Sequence, residues 1–286
     1  MNSDDPFYNE LIAVESIPPL PGAAAELLAL ATDPDVDIAK LAEVIERDPP
    51  LTARLIGIAN SAFYAPRQPV VTVKNAIVSV LGLDMVRNMS LGMALAGGFS
   101  TTGCPSFDLT EYWIMALGTA DLASGLARAA TVADAPDPDV TYLVGLLHNL
   151  GLLLLVHVRP KDMERALKLA GDNPGTRLIE HERDLIGTDH WAAGAFLCRH
   201  WQLPAVVADC IEQLDDTVLV DRHARLVELL RSTRRWLLTV IAGRPDVLRA
   251  TSVDDVYTDY RSQQFLDRYD ALKMLARFLG GEGAKG

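Results

Sequence analysis

The stretch Tyr142-Leu-Val-Gly-Leu-Leu-His-Asn-Leu-Gly-Leu-Leu-Leu-Leu-Val156 decides how this chain is interpreted. It predicts a strongly apolar helix in which two polar residues, His148 and Asn149, stand side by side ahead of Gly151. A histidine followed by an aspartate in this setting would offer two ligands to a metal ion. Asn149 is neutral and is a much weaker ligand than an aspartate. The stretch therefore keeps the surroundings of a metal site without the charge that such a site needs.

The composition of the 286-residue chain favours helix over sheet. Hydrophobic residues make up 49% of the chain, with Ala and Leu dominant, whereas aromatic residues make up only 6%. No stretch of useful length shows the alternating Val, Ile and Thr pattern of a half-buried strand. We therefore expect an all-α, multi-helical fold with ample material for a core.

The net charge of −12 and the isoelectric point of about 4.9 bear on the choice of partner. An acidic surface repels the phosphates of nucleic acid, so no nucleic-acid partner is expected. Residues 72–89 have the pattern of a helix-turn-helix, but we accordingly interpret them as a packed helical hairpin and not as a DNA-binding motif. One predicted helix carries a basic cluster, which we interpret as a solvated face: Arg225, Arg231, Arg234 and Arg235.

Cysteine usage and hydropathy indicate a soluble protein in a reducing compartment. Cys104, Cys198 and Cys210 show no paired spacing, and the acidic N-terminus has no signal-peptide pattern. The longest apolar run, Leu143 to Val158, is interrupted by polar residues and is interpreted as too short and too polar to span a bilayer. A cytoplasmic location without membrane contact is expected.

Capping residues predict where several helices begin and end. Asp37, Asp48 and Thr72 are candidate N-caps, and Gly82 is a natural stop. The segment from Gly97 to Ser106 is rich in Gly, Ser and Thr and is the best linker candidate. Later helices are predicted near 110–130, 160–171, 176–185, 189–201, 205–213, 221–242 and 260–279.

Five motifs in order along the chain, the last of them inside the opening stretch, resemble the HDOD domain, whose name stands for HD-related output domain. They are Ile17-Pro-Pro-Leu-Pro, Ile45-Glu-Arg-Asp-Pro-Pro-Leu-Thr-Ala-Arg-Leu-Ile, Ala59-Asn-Ser-Ala-Phe-Tyr, Ala76-Ile-Val-Ser-Val-Leu-Gly-Leu-Asp-Met-Val-Arg-Asn and Gly145-Leu-Leu-His-Asn-Leu-Gly. The resemblance implies a stand-alone bacterial signalling module. Its second half is similar to the HD phosphohydrolase fold, which includes the HD-GYP cyclic-di-GMP phosphodiesterases, and such modules often lack catalytic residues.

The resemblance also implies a division of the chain. We expect an N-terminal arm over 1–13 and an HDOD domain over 14–214. The domain would comprise an N-terminal helical lobe (14–100) and an HD-like helical lobe (106–214). Residues 215–286 are expected to form additional C-terminal helices.

Three ligand positions of the HD pattern are lost when it is carried onto this sequence. Met115 takes the place of the early-helix histidine, Asn149 that of the aspartate, and Gln213 that of a closing histidine. Asp189 is also a good N-cap, and that interpretation is favoured over a ligand role. The residual pocket would consist of His148, Asn149, Asp189 and His190. No catalytic residue, metal or cofactor is expected.

Two functions of different classes follow. The first is a non-catalytic regulatory module that binds a protein partner. The alternative is a degenerate phosphohydrolase that binds a nucleotide, such as a cyclic dinucleotide, or a single metal in the residual pocket. The sequence also leaves a homodimer as an alternative, because the apolar face of the predicted 221–242 helix could serve a dimer contact as easily as the core.

Overall fold

The computed structural model describes most of the chain, and the described residues form helices joined by turns and loops. They are 17–31, 37–130, 132, 134–173, 176–216, 223–244, 248, 253 and 255–281. No strand occurs within these ranges, and the predicted all-α, multi-helical fold is confirmed. The predicted N-terminal arm, residues 1–13, lies outside the described residues.

The helices follow one another with short connections. The first part contains α1 (Gly22–Ala31), α2 (Ile38–Glu46), α3 (Pro49–Ala59), α4 (Val73–Ala76), a π-helical turn (Ile77–Leu81) and α5 (Leu83–Ala96). The middle part contains α6 (Leu109–Ala129), α7 (Pro138–Leu147), α8 (Leu150–Val158), α9 (Pro160–Asp172), α10 (Leu178–Ile186), α11 (His190–His200), α12 (Ala205–Glu212) and a 3-10 turn (Gln213–Asp215). The C-terminal part contains α13 (Ala224–Ile241), α14 (Asp255–Asp267) and α15 (Tyr269–Gly280).

The predicted helix boundaries of the first part are confirmed by their capping hydrogen bonds. Asp37, Asp48 and Thr72 each accept a hydrogen bond from the backbone N–H three residues further on, at 2.8, 3.0 and 3.0 Å. These bonds satisfy amides that have no partner inside the helix. Gly82 adopts a φ of +84° and separates the π-helical turn from α5. The π-helical turn itself was not predicted.

The helix predicted near 260–279 is two helices, because the chain bends at Arg268. The Arg268 backbone leaves the helical region, with φ −105°. Its guanidinium donates a hydrogen bond to the carbonyl oxygen of Phe63 at 3.0 Å and lies 3.9 Å from the centre of the Phe63 ring. A contact between residues this distant in sequence stabilises the bend, and hydrophobic periodicity carries no sign of it.

The core is built around α6. Four helices pack on it, namely α7, α13, α14 and α15. The approach of α7 requires Gly145, because a Cβ there would lie 2.8 Å from the Cα of Ala120. The apolar face of α13, including Leu230 and Leu237, is buried inside the chain. The apolar face of α13, which from the sequence was equally suited to a homodimer contact, therefore packs in the core.

The linker candidate, residues 97–106, is packed against the middle part of the chain. The backbone N–H of Ser100 donates to Nδ1 of His157 at 3.1 Å. Ser106 donates to the Glu164 carboxylate through its backbone N–H at 2.8 Å and its hydroxyl at 2.9 Å. These bonds fix the connection between the first and middle parts at both of its ends.

One segment, Pro138–Val158, is long and apolar enough to cross a membrane by length and composition alone. The expectation that this apolar run is too short and too polar is wrong on that criterion, because the segment begins at Pro138. In the fold, 78% of its most apolar window is buried inside the protein. Core helices of this kind pass the same test, and α7 and α8 pack against α6 and α11 respectively.

Candidate functional site

The His148–Asn149 pair lies at a junction between two helices, which corrects the prediction of one continuous helix. His148 follows α7 and Asn149 precedes α8. The Nδ1 of His148 lies 2.6 Å from the carbonyl oxygen of Gly145. In a continuous helix that carbonyl would accept the backbone N–H of Asn149, so the imidazole competes with the helical bond. The break directs both side chains into the interior.

His148 is a buried, neutral histidine. A carbonyl oxygen only accepts hydrogen bonds, so Nδ1 carries the proton and Nε2 carries a lone pair. The residue is 1% exposed. Burial lowers the pKa of His148 to about 3, and the nearby guanidinium of Arg234 acts in the same direction. Its Nε2 has no hydrogen-bond partner among the described residues.

Two glycines bring His190 to the pair. A Cβ on Gly151 would lie 1.9 Å from the carbonyl oxygen of His190 and 2.5 Å from the backbone nitrogen of Gly194. Helices α8 and α11 therefore touch backbone to backbone near their N-termini. The Trp191 ring lies 6.1 Å from the His148 ring and 4.0 Å from the His190 ring, measured between centroids. The structure thus brings His148, Asn149 and His190 together.

His190 is oriented by a buried carboxylate that the sequence analysis missed. One oxygen of Glu182 accepts from the backbone N–H of His190 at 3.0 Å and lies 2.6 Å from its Nδ1. Glu182 is fully buried, and Nε2 of His190 has no partner among the described residues. The sequence did contain a signal, because Glu182 follows Ile179 by three residues and therefore lies on the same, buried side of α10. A buried carboxylate needs a specific partner.

Asp189 caps α11, and the N-cap interpretation is confirmed. Its Oδ1 accepts from the backbone N–H groups of Trp191 at 2.9 Å and Ala192 at 3.0 Å. Its Oδ2 accepts from Nε of Arg183 at 2.7 Å. Both oxygens are therefore engaged away from the pair, so the structure does not bring Asp189 into the group formed by the other three residues.

The three substituted positions do not fit a metal centre. Met115 and Asn149, 5% and 3% exposed, line the cavity described below, and Oδ1 of Asn149 has no partner within the described residues. Gln213 instead donates its side-chain amide to the carbonyl oxygen of Asp209 at 3.0 Å. In the described parts of the chain no three His, Cys, Asp or Glu side chains are grouped to hold a metal ion. This donor set does not fit a pair of hydrolytic metal ions.

A cavity of about 390 Å³ opens beside the pair. Both polar and apolar side chains line this cavity, among them Met115, Asn149, His190, Trp191, Asp215 and Arg234. A second cavity of about 270 Å³ shares Asp215 and Arg234 with it. The two cavities therefore lie next to each other, and we call them together the depression between α10, α11 and α13.

Arg234 was placed on a solvated face by its sequence pattern, but it lines the cavity. It comes from α13, and its guanidinium carbon lies 4.6 Å from the centre of the Trp191 ring. Burial lowers the pKa of Arg234 to about 10, so the side chain stays charged at neutral pH. The interpretation of its cluster as a solvated face is wrong for this residue. Arg234 follows Val227 and Leu230 in the apolar stripe of α13, and a charge in such a stripe was the available signal.

These features define a class of protein: an all-α fold with a pocket lined by Asn149 and His190, in which the described residues form no group of metal ligands. The sequence profile of the HDOD domain matches residues 17–217. The chain belongs to the HDOD domain family, as its motifs predicted.

Known proteins similar to this chain agree with that membership. A candidate signal transduction protein from Marinobacter aquaeolei VT8 has a crystal structure that superposes with a TM-score of 0.80, at 27% identity, over 94% of this chain and 61% of its own. A candidate phosphohydrolase from Shewanella amazonensis SB2B shares the fold, with a TM-score of 0.77 at 22% identity, over 96% of this chain and all of its own.

A protein of uncharacterised function from Treponema pallidum (strain Nichols) is 28% identical over 204 residues, or 69% of this chain. The chain spans 37% of that relative and 61% of the Marinobacter protein. What those longer proteins do as wholes is therefore not transferred to this chain.

Proposed function

We propose that this chain is a non-catalytic regulatory module of the HDOD type that acts in the bacterial cytoplasm by binding a protein partner. Its family membership and its similarity to a candidate signal transduction protein support a regulatory role. The observation that carries the absence of catalysis is the replacement of three ligands by Met115, Asn149 and Gln213, beside a charged Arg234.

Physical chemistry gives the reason. Hydrolysis at a two-metal site needs two cations held close together by shared carboxylate and imidazole ligands, so that they can activate a water molecule. Asn149 supplies no negative charge, and Met115 offers no hard ligand. The guanidinium of Arg234 adds a fixed positive charge near the pair, which repels a cation. Each change lowers the affinity for the second metal ion.

Catalysis is tested directly with phosphodiester substrates. The purified chain is incubated with Mn²⁺ or Fe²⁺ and either bis(p-nitrophenyl) phosphate or cyclic-di-GMP. The control is the double variant His148→Asn, His190→Gln, which removes both imidazoles from the site. We expect the two proteins to give the same background rate. Metal-dependent turnover that the double variant lacks would contradict the proposal.

Partner binding is tested by capture followed by reconstitution. The tagged chain is used to retain proteins from a lysate of its own host, and each retained protein is then purified and mixed with the chain. We expect at least one protein to form a complex of fixed stoichiometry, measured by light scattering after gel filtration. The proposal fails if no retained protein rebinds in purified form.

A second candidate function is nucleotide binding without turnover, with a cyclic dinucleotide as the ligand. The cavity of about 390 Å³ favours it, because Asn149 and His190, which line it, each have a buried polar atom without a partner among the described residues. Calorimetric titration with cyclic-di-GMP tests this candidate. Heat that is lost in an Asn149→Leu variant is the expected result, and no heat with the wild type would exclude the candidate.

A further inference from the structure

The buried Nε of Arg234 has no hydrogen-bond partner among the described residues, and no direct ion pair joins its guanidinium to any of them. The carboxylates of Glu182 and Asp215 act at longer range: both raise the pKa of Arg234, but burial outweighs them. Asp215 is the acidic residue that shares both cavities with it. That carboxylate already accepts from Arg177 at 2.6 Å and Arg183 at 3.1 Å. A half-buried guanidinium without a direct partner favours an anion that can complete its hydrogen bonds.

The surrounding depression is positive although the chain as a whole is acidic. Four arginines line the two neighbouring cavities, at positions 177, 231, 234 and 235. The carboxylates on the same walls are Glu111, Asp215 and Asp216, so the lining side chains carry one more positive than negative charge. An anion entering this depression would therefore be attracted, whereas the chain's net charge of −12 repels anions elsewhere.

Asn149 and His190 also line the first cavity. Oδ1 of Asn149 and Nε2 of His190 belong to side chains that are 3% and 2% exposed, and neither atom has a partner within the described residues. The amide oxygen only accepts, so it suits a hydroxyl of the ligand. A ligand with charged oxygens for Arg234 and a hydroxyl for Asn149 matches this set better than a simple carboxylate does.

We propose that this cavity binds a phosphate group that carries at least one hydroxyl, either inorganic phosphate or a phosphate monoester, with Arg234 as its cationic anchor. The planar guanidinium presents paired N–H donors whose spacing fits two phosphate oxygens. Arg234 thus supplies, from a helix beyond the matched family segment, the positive charge that metal ions supply in a two-metal site. The inference deepens the nucleotide-binding candidate above, and it does not depend on a cyclic dinucleotide being the ligand.

The test measures binding of inorganic phosphate to the full-length chain by equilibrium dialysis with radiolabelled phosphate. The variants are Arg234→Gln and Arg234→Lys. The matched control is Arg225→Gln, which removes the same charge from the same helix at a residue paired with Asp134 at 4.0 Å. We expect Arg234→Gln to weaken binding by at least about tenfold, the effect of losing one charge-assisted hydrogen bond. Arg234→Lys should retain part of the affinity, and Arg225→Gln all of it.

Adenosine monophosphate then distinguishes the two sources of phosphate. Competition with labelled phosphate would identify a monoester site, whereas binding of phosphate alone would identify a site for the free anion, and both results support Arg234 as the anchor. If the chain binds phosphate through Arg234 but does not bind cyclic-di-GMP, the second candidate function is excluded and the proposed phosphate site stands. Phosphate binding equal in wild type and Arg234→Gln, or no binding at millimolar phosphate, would overturn it.

A chemical measurement on the wild type covers the case in which Arg234→Gln does not fold. Phenylglyoxal modifies accessible arginines, and peptide mass mapping reports each position separately. We expect phosphate to protect Arg234 while the modification of Arg225 is unchanged. Equal modification of Arg234 with and without phosphate would contradict the proposal.

Discussion

His148 shows how one side chain can lose the chemistry that its position suggests. Its Nδ1 donates to the carbonyl oxygen of Gly145, and burial together with Arg234 holds its pKa far below the ordinary value of 6.5. A neutral imidazole is a competent metal ligand, yet Asn149 beside it contributes no charge. The imidazole therefore remains in a buried polar setting whose electrostatics disfavour a cation.

The pH dependence of stability follows from this depressed pKa. In the unfolded chain a histidine gains a proton near pH 6.5, whereas folded His148 gains one only near pH 3. Between these values the unfolded state binds the extra proton, so the free energy of unfolding decreases as the pH falls through that window. The loss contributed by His148 reaches about 5 kcal/mol at the lower end. Urea unfolding at pH 7, 6, 5 and 4 measures it.

The control for this prediction is His148→Asn, whose amide can still donate to the Gly145 carbonyl but does not titrate. We expect the stability of this variant to change less with pH than that of the wild type between pH 7 and pH 4. Equal slopes in the two proteins would show that His148 is not the group responsible.

How well each site residue could be predicted from the sequence depended on its distance along the chain from the motifs that resemble the HDOD domain. His148, Asn149, Asp189 and His190 were predicted as pocket residues and Met115 as a lost ligand position, and their roles stay predictions. Glu182 was not named, and Arg234 was named only as part of a solvated face. Glu182 meets His190, and Arg234 lines the pocket, only through the tertiary packing of α10 and α13. The signal for both residues was a charged side chain within the apolar stripe of a helix. This pattern indicates that the side chain is buried, but it does not indicate which groups the side chain contacts.

At the scale of elements, the closest contact in the site is that between α8 and α11. Gly151 and Gly194 are the small residues that allow it, and this gives a physical meaning to the glycine two residues after Asn149. The sequence predicted both helices but could not predict their contact, because helical periodicity describes one helix at a time.

Substituting Gly151 by alanine is expected to destabilise the protein strongly. The new Cβ would lie 1.9 Å from the backbone oxygen of His190, and backbone atoms cannot move aside as a side chain can. We expect a loss of about 3 kcal/mol or more in the free energy of unfolding, the upper range for overpacking. Chemical denaturation followed by circular dichroism measures the change.

Gly171→Ala is the matched control for that substitution. A Cβ at Gly171, in α9, meets nothing within 4 Å, so alanine there should be neutral or stabilising by up to about 1 kcal/mol. If Gly151→Ala were tolerated as well as Gly171→Ala, the backbone contact between α8 and α11 would not exist as described.

At the scale of the whole molecule, the helices beyond the family segment are part of the same core. Helices α13, α14 and α15 all pack on α6. The ring of Phe278, on α15, occupies the space above Gly57 in α3, where a Cβ would meet it at 2.5 Å. Arg268 reaches Phe63 in the first part of the chain. No sequence motif marked these helices, since they lie beyond the HDOD resemblance and only their packing shows their place.

A chain that ends at Asp216 is therefore expected not to reach a folded state. It would expose the apolar surface of α6 that three helices cover, and this loss exceeds the marginal stability of a typical domain. The measurement is near-ultraviolet circular dichroism with limited proteolysis, compared with the full chain. Cooperative unfolding of the shortened chain near the melting temperature of the full chain would contradict the prediction.

The central proposal is that Arg234, rather than metal ions, supplies the positive charge of this pocket. Elemental analysis of the full chain, purified without chelator and without a histidine tag, tests it most directly. The account predicts iron, manganese and zinc contents near zero per chain, in the wild type and in the His148→Asn, His190→Gln variant alike. One or two equivalents of metal in the wild type, lost in that variant, would contradict it.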